Sequence, residues 1–429
     1  MRYTLSFLIC FLSLTLTAQT YSLQQCIDSA LTNNISVRQQ RNQYDVQRLQ
    51  YSQQKQNLLP SVSGNVGQSW SFGRATGVDN ITRSQNQSNT SFGLSANLLL
   101  FDGLGMKYRI DEARANSEAS EAQMKKLETD IRMDITTMYL QSLLRKELLL
   151  VAQSQMEDTR QKLQQTEQLV AEGRLAEGEK YALEAQLAKE ELSVVQAEND
   201  LHLAMLDLAQ AMNINYSPDM DIMLIDEDER LLPDREEAYQ QALQNRPEIR
   251  SAQAQLQASE YALKGAKSAY SPSLSAGVDL GTGYYHLYGA DNTAFGQQLG
   301  DNFSTTVGLH LNIPIFDRMQ TPNSVKQQKI SIENYRLQIE QQKQTLKKEI
   351  DQAYYNALAA RSQKQSAQKA ALSATEALRY AEKKYEAGRA SVYELYDAKN
   401  TYLQAQSTLL QSKYEYSFKV RILEYYMSE

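Results

Sequence analysis

The chain has 429 residues and carries 44 Lys and Arg against 51 Asp and Glu, a net charge of −7, which argues against nucleic acid as a partner. Its three histidines, His202, His286 and His310, share no metal spacing, and no phosphate loop or Ser/His/Asp arrangement stands out. Neither a catalytic residue, a cofactor nor a metal site is expected, and the chain reads as a non-enzyme.

Taken in order, the chain opens with Arg2, an apolar run from Leu5 to Leu16, and Thr17-Ala18. This is the n-, h- and c-region pattern of a secretory signal over residues 1–18. It is too short to span a bilayer and marks the protein for export. Cys26 is then the only thiol left, so no internal disulfide forms. It reads as a small buried residue on the first helix. No later run of 18 apolar residues exists, so any membrane portion would have to be a β-barrel.

From Ser22 to Leu59 the composition is helical, with a break at Asn33-Asn34 and a stop at Pro60. The period then changes to two. Val62, Val66, Trp70 and Phe72 alternate with Ser61, Ser63, Asn65, Ser69 and Ser71. Residues 91–101 repeat the pattern with Phe92, Leu94, Ala96, Leu98 and Leu100. These are strands with one apolar face. They form a hairpin over 61–101 around a polar loop, Arg74–Thr90.

Met106–Glu172 contains no glycine or proline over 67 residues. At about 1.5 Å per residue it predicts a helix roughly 100 Å long. Its distal half carries a heptad: Leu149, Ala152, Met156, Thr159, Leu163, Thr166, Val170. The spacing alternates three and four, as in a coiled coil. Gly173-Arg174 is a tight turn, and the next helix, to about Asn213, carries Leu187, Glu190, Val194, Ala197, Leu201, Ala204 and Leu208 on the same rule. The coiled-coil hairpin covers 106–213. Residues 214–234 form a connector, acidic at Asp226-Glu227-Asp228-Glu229.

From Arg235 everything recurs. Ala30-Leu31-Thr32-Asn33 meets Ala242-Leu243-Gln244-Asn245, and Pro60-Ser61-Val62-Ser63 meets Pro272-Ser273-Leu274-Ser275, both 212 residues on. Phe101-Asp102 meets Phe316-Asp317, and Gly173-Arg174 meets Gly388-Arg389, both 215 on. The first repeat is thus 19–213 and the second 235–429, with a hairpin at 273–316 and a coiled-coil hairpin at 323–427. In each repeat the helix before the β-hairpin and the helix after the tip turn together nearly match the long helix between them. Two shorter helices stacked end to end would lie beside one long one.

The architecture predicted is mainly α, with duplicated halves and long antiparallel coiled-coil helices. Two β-hairpins supply four strands, each with one apolar face and one face of Ser, Asn, Gly, Thr and Asp. Four strands cannot close, and an open edge in lipid is forbidden. Closure needs several chains; three would supply twelve strands, within the range of about 8–26 known for such barrels.

Tyr385-Glu386-Ala387-Gly388-Arg389, followed by Val392-Tyr393-Glu394-Leu395-Tyr396-Asp397-Ala398, resembles the tip motif of the TolC-type outer-membrane efflux proteins. That motif runs Tyr-x-x-Gly, then acidic-x-Leu-Asp-Ala or a near variant. The likeness extends over the duplicated halves, the two hairpins and the Gly turns. It implies a homotrimer, with a twelve-stranded β-barrel in outer-membrane lipid continued by an α-barrel tunnel across the periplasm. It also implies docking to a periplasmic adaptor (membrane fusion protein) and an inner-membrane pump, for export of small molecules. Two other readings are an exit duct for type I polypeptide secretion and a periplasmic coiled-coil adaptor with no pore. The match places Glu394 and Asp397 at the family's aperture, where three chains would ring six carboxylates. The competing reading is ordinary acidic preference at a helix N-terminus. Tyr385 and Glu179 match the family's tip contacts. The family's arginine falls on Ala390, and Arg389 stands one residue early. Arg389 either takes that role or serves, with Arg174 on the Gly173 and Gly388 turns, in adaptor docking.

Overall fold

The structure, a computed structural model, describes residues 20–76, 80–84, 86–225 and 232–427. The signal segment 1–18 and the acidic run 226–229 lie outside the described residues. Among the described residues no helix is long and apolar enough to cross a membrane.

The chain opens with β1 (Thr20–Tyr21), α1 (Leu23–Asn33) and α2 (Ile35–Gln56), then β2 (Ser61–Ser71), β3 (Arg74–Thr76), β4 (Thr82–Ser84) and β5 (Gln87–Phe101). The first long helix is α3 (Gly105–Ala171), followed by α4 (Glu177–Ala211) and β6 (Asp221–Ile222). The second repeat gives α5 (Arg235–Asn245), α6 (Pro247–Ser268), β7 (Ser273–Leu287), α7 (Phe295–Asp301) and β8 (Ser304–Asn312). It ends with α8 (Gln320–Glu386) and α9 (Val392–Met427). Helices α3 and α8 have 67 residues each, and α2 and α6 have 22 each. The duplication is therefore one of elements and not only of short motifs.

Four boundaries differ from expectation. The Arg74–Thr90 loop holds the paired strands β3 and β4, and β5 begins inside it at Gln87. The second hairpin stops at Asn312 rather than Phe316, because Pro314 brings no N–H to a ladder. Helix α8 starts at Gln320, before Pro322, whose missing donor is harmless in a first turn. The connector is not wholly irregular: Asp221–Ile222 pairs in parallel with Thr20–Tyr21.

The chain divides into two units. One comprises Met1–Arg41, Met124–Arg246 and Gln344–Glu429; the other comprises Asn42–Gln123 and Pro247–Lys343.

The second unit holds a four-stranded antiparallel sheet in the order β2-β5-β7-β8. Its register sorts the side chains by face. One row reads Val62, Ala96, Val278, Val307, and the next residue along reads Ser63, Ser95, Asp279, Thr306. A period of two makes this inevitable once the register is set. His310 pairs with Ser275, on the polar face. The apolar face is bare in the single chain: Val66 is 72% and Val307 74% exposed. Beside the sheet, α6 packs on α3 through small residues, with Ala115, Ala119, Ala252 and Ala258 buried. Ser251 donates to the Ala119 carbonyl at 3.1 Å.

The first unit is helical, apart from the β1–β6 pair. Its core gathers Cys26, Ile27, Ile135, Tyr139, Leu143, Met205, Leu208 and Met212. Tyr139 is fully buried, and its hydroxyl lies 3.0 Å from the Tyr21 carbonyl and 2.7 Å from that of Met223. One phenol thus ties the start of the described chain to the connector. Burial pushes its pKa up to about 12. The expected end-to-end joints are present here. Asn34 donates to the Ala211 carbonyl at the end of α4, and Asn245 to the Met427 carbonyl at the end of α9. Each covers a helix-end carbonyl that has no partner of its own.

Both strand-to-helix junctions use one device. Asp102 accepts from the Met106 N–H at 3.0 Å, and Asp317 from the Thr321 N–H at 2.7 Å. Two residues of positive φ precede each helix: Gly103 and Leu104 (66° and 70°), then Arg318 and Met319 (54° and 64°). Glycine adopts this backbone freely; a Cβ at 103 would also meet Ser271 at 2.4 Å. In the second repeat neither residue is glycine, and each left-handed residue costs roughly 1–2 kcal/mol. Arg318→Gly should therefore raise stability by about 1 kcal/mol. Denaturant unfolding of the detergent-solubilised protein checks this, and a loss of stability would show that Arg318 earns its strain through its side chain.

Candidate functional site

The two glycine turns lie at the ends of the long helices, both in the helical unit. Gly173 and Gly388 have φ of 72° and 67°, open to glycine without strain. The Gly173 N–H donates to the Val170 carbonyl and the Arg174 N–H to that of Leu169, both at 2.9 Å. Gly388 repeats this on Tyr385 at 2.9 Å, and Arg389 on Lys384 at 2.8 Å. This pair of bonds is the Schellman C-cap, built twice.

The helices that leave the turns begin differently. Helix α9 starts with a capping box: the Glu394 N–H donates to Ser391 Oγ at 3.3 Å, and the Ser391 N–H to Glu394 Oε2 at 3.2 Å. Helix α4 has no such box. Its N-cap is Ala176, and Glu177 and Glu179 in its first turn suit the helix dipole.

The expected site residues fall as follows. Glu394 is exposed but spends one carboxylate oxygen on its own helix start, and Asp397 is exposed one turn on. Tyr385 and Glu179, 206 residues apart, meet: the phenol donates to Glu179 Oε2 at 3.2 Å. That bond joins the helical hairpin of the second repeat to that of the first. Burial, and then the Glu179 carboxylate, push the Tyr385 pKa up to about 12. The phenol is a protonated donor at neutral pH, and the bond's contribution is complete below about 10 and lost as pH climbs through about 12. Arg389 stands exposed on its turn, and the Tyr385–Glu179 bond is made without it. Arg174 pairs with its neighbour Glu172 at 3.3 Å.

Behind these residues lies a buried polar layer that the sequence reading did not identify. Thr159 is fully buried, and Lys399, Glu190 and Gln155 are nearly so. Lys399 Nζ donates to Thr159 Oγ1 at 2.9 Å, across 240 residues. Glu190 Oε1 accepts from Gln186 at 2.7 Å and Gln155 at 3.3 Å. Nearby, Lys162 reaches Glu382 at 3.4 Å, from α3 to α8. Thr159 and Glu190 already stood as polar members of otherwise apolar heptads, which was the available signal. Lys399 had none, since it lies outside the heptad of its own helix, Leu395, Ala398, Tyr402, Ala405, Leu409, Ser412 and Tyr416.

The model of the outer membrane efflux protein family matches residues 26–213 and 238–424, one stretch in each repeat. No curated protein matches the chain. Among solved structures it is similar to the CmeC outer membrane channel of Campylobacter jejuni, at TM-score 0.77 and 18% identity over 94% of this chain and 85% of that one. It is also similar to the outer membrane protein VceC of Vibrio cholerae, at TM-score 0.76 and 14% identity, over 95% and 96%. The open state of the MtrE outer membrane channel of Neisseria gonorrhoeae gives 0.74 and 19% over 94% and 88%. With both repeats matched, the chain belongs to the outer membrane efflux protein family and is an export channel of the outer membrane.

Proposed function

We propose that three copies of this chain close one barrel and form the outer-membrane duct of a tripartite efflux system. A periplasmic adaptor and an inner-membrane pump would deliver small molecules to it. The observation that carries the reading is the sheet: one face apolar, one polar, with β2 and β8 as its outermost strands. In lipid those edges need partners, and only further strands supply them. Bare apolar side chains on the helices, such as Leu192 on α4 and Leu372 on α8, support association along the helical part as well. Native mass measurement in mild detergent should give a trimer. A stable monomer would sink the reading.

Glu394 and Asp397 of three chains would then ring the periplasmic entrance with six carboxylates. Such a ring draws cations and holds one in its path. The capping box dictates the variant that tests it. Alanine at 394 would also damage the helix start, whereas Gln keeps the box and removes the charge. The Glu394→Gln/Asp397→Asn double variant should lose cation selectivity and block by multivalent cations in bilayer recordings. Unchanged reversal potentials would leave both residues as helix-start acids only.

Tyr385 and Glu179 would hold the tip narrow by fastening one hairpin to the other. A hydrogen bond of this partly buried kind is worth about 1 kcal/mol. Tyr385→Phe should therefore raise the open fraction severalfold, with trimer stability nearly unchanged. Conductance equal to that of the unaltered protein would remove the bond from gating. Arg174 and Arg389, exposed on the Gly173 and Gly388 turns, would serve adaptor docking.

A further inference from the structure

The interior between the helices near the turns holds charges that a coiled coil does not need. Lys399 is 4% exposed, and it donates to a neutral hydroxyl, that of Thr159 at 2.9 Å. Glu190 is 6% exposed; its Oε1 takes two amide donors, while its buried Oε2 has no hydrogen-bond partner. A cation on a neutral oxygen, beside a carboxylate with a free oxygen, is not the arrangement of lowest electrostatic energy. Ammonium and carboxylate attract far more strongly than ammonium and hydroxyl. An apolar layer at these positions would also pack without the desolvation cost of either charge. Burial holds the Lys399 ammonium below its usual range, with Lys162 adding to this, against the pull of Glu190, Asp158 and Glu382.

The three groups sit on three different helices: Thr159 on α3, Glu190 on α4 and Lys399 on α9. Lys399 is two residues beyond Asp397 and one turn beyond Tyr396, so any movement of the start of α9 moves it. It has three N–H donors and a flexible stem, so it can exchange partners when its helix shifts.

We propose that Lys399 is a two-position latch: its bond to Thr159 holds α9 in the arrangement seen here, and the free oxygen of Glu190 receives it when the tip opens. This rests on reading the Tyr385–Glu179 arrangement as the narrow state of an export duct. The two partners then have opposite effects, which a purely structural role would not give. Losing Thr159 as a partner weakens the narrow state; losing the Glu190 charge weakens the open one.

The test uses the full-length trimer in planar bilayers, with hydrogen–deuterium exchange on the same preparations. Thr159→Val keeps the shape and removes the hydroxyl; Thr159→Ser restores it. Glu190→Gln keeps the amide contacts and removes the charge. Thr159→Val should raise the open fraction about tenfold, equivalent to about 1.4 kcal/mol. Thr159→Ser should behave as the unaltered protein, and Glu190→Gln should lower the open fraction. Amides of residues 392–402 should exchange faster in Thr159→Val and slower in Glu190→Gln. Shifts of the same sign in both variants, or none, overturn the latch. A protein that never conducts, yet shows the opposed exchange, overturns the duct reading and leaves the latch standing. One that shows neither overturns both.

Discussion

Backbone N–H and C=O groups at a sheet edge must be paired when the sheet lies in lipid, and that requirement governs this molecule. Each chain offers four strands, ordered β2-β5-β7-β8, and so two edges. The duplicated hairpins pair with each other through β5 and β7, the one neighbour relation of that sheet, among the described residues, that joins the two repeats. Duplication therefore builds a wider sheet and still leaves it open. It also fixes the helical part, because every hairpin brings a 67-residue helix with it. The two strand-to-helix junctions are also alike. The aspartate caps and the paired positive-φ residues occur twice, 215 positions apart. That Arg318 and Met319 accept a glycine-like backbone shows that the geometry outranks the local preference of the residues.

Much of this was legible in the sequence, for physical reasons that differ by element. Strand faces were legible because a half-wet sheet forces alternation, and the observed register puts Val62, Ala96, Val278 and Val307 in one row. The long helices were legible because glycine and proline are absent from Met106 to Glu172 and from Asn323 to Ala387. What was missed is either too short to show a period or paired with a segment distant in the chain. The β1–β6 pair is two residues long, and no period can be read from two residues. Strands β3 and β4 are three residues each and polar. The end of β8 was written in Pro314, but the apolar alternation through Ile313 and Ile315 spoke more loudly than one missing N–H. The capping box of Glu394 was present as Ser391-x-x-Glu394; its acid was weighed as an aperture charge or a helix-dipole acid, and not as one half of a box.

The candidate site shows how a heptad conceals chemistry. Reading positions three and four apart finds the interior, and Thr159 and Glu190 do lie in it. The pattern counts them as tolerated exceptions. Lys399 is as deeply buried as its neighbour Leu395, yet nothing in its local sequence distinguishes it from a surface lysine. Only the fold brings it to Thr159. Charge buried at a helix interface is visible in a structure and nearly invisible in a linear pattern.

The helical unit is graded along its length. Near the joints, the interior is Ile135, Tyr139, Leu143, Leu208, Ile350 and Leu423, all large and apolar or satisfied. Toward the turns the buried residues of α8 shrink to Ala367, Ala371 and Ala374, and on the other helices Gln155, Thr159, Thr166, Glu190 and Lys399 are buried among the apolar Leu183, Val194 and Leu395. Large apolar side chains remove most surface from water and lock into one packing. Alanine buries little, and polar pairs can exchange partners at modest cost. Local stability follows buried apolar contact, so opening free energy should fall from joint to turn. The joints are also where Asn34 and Asn245 cap the ends of α4 and α9. The contrast is written in residue size and polarity at core positions.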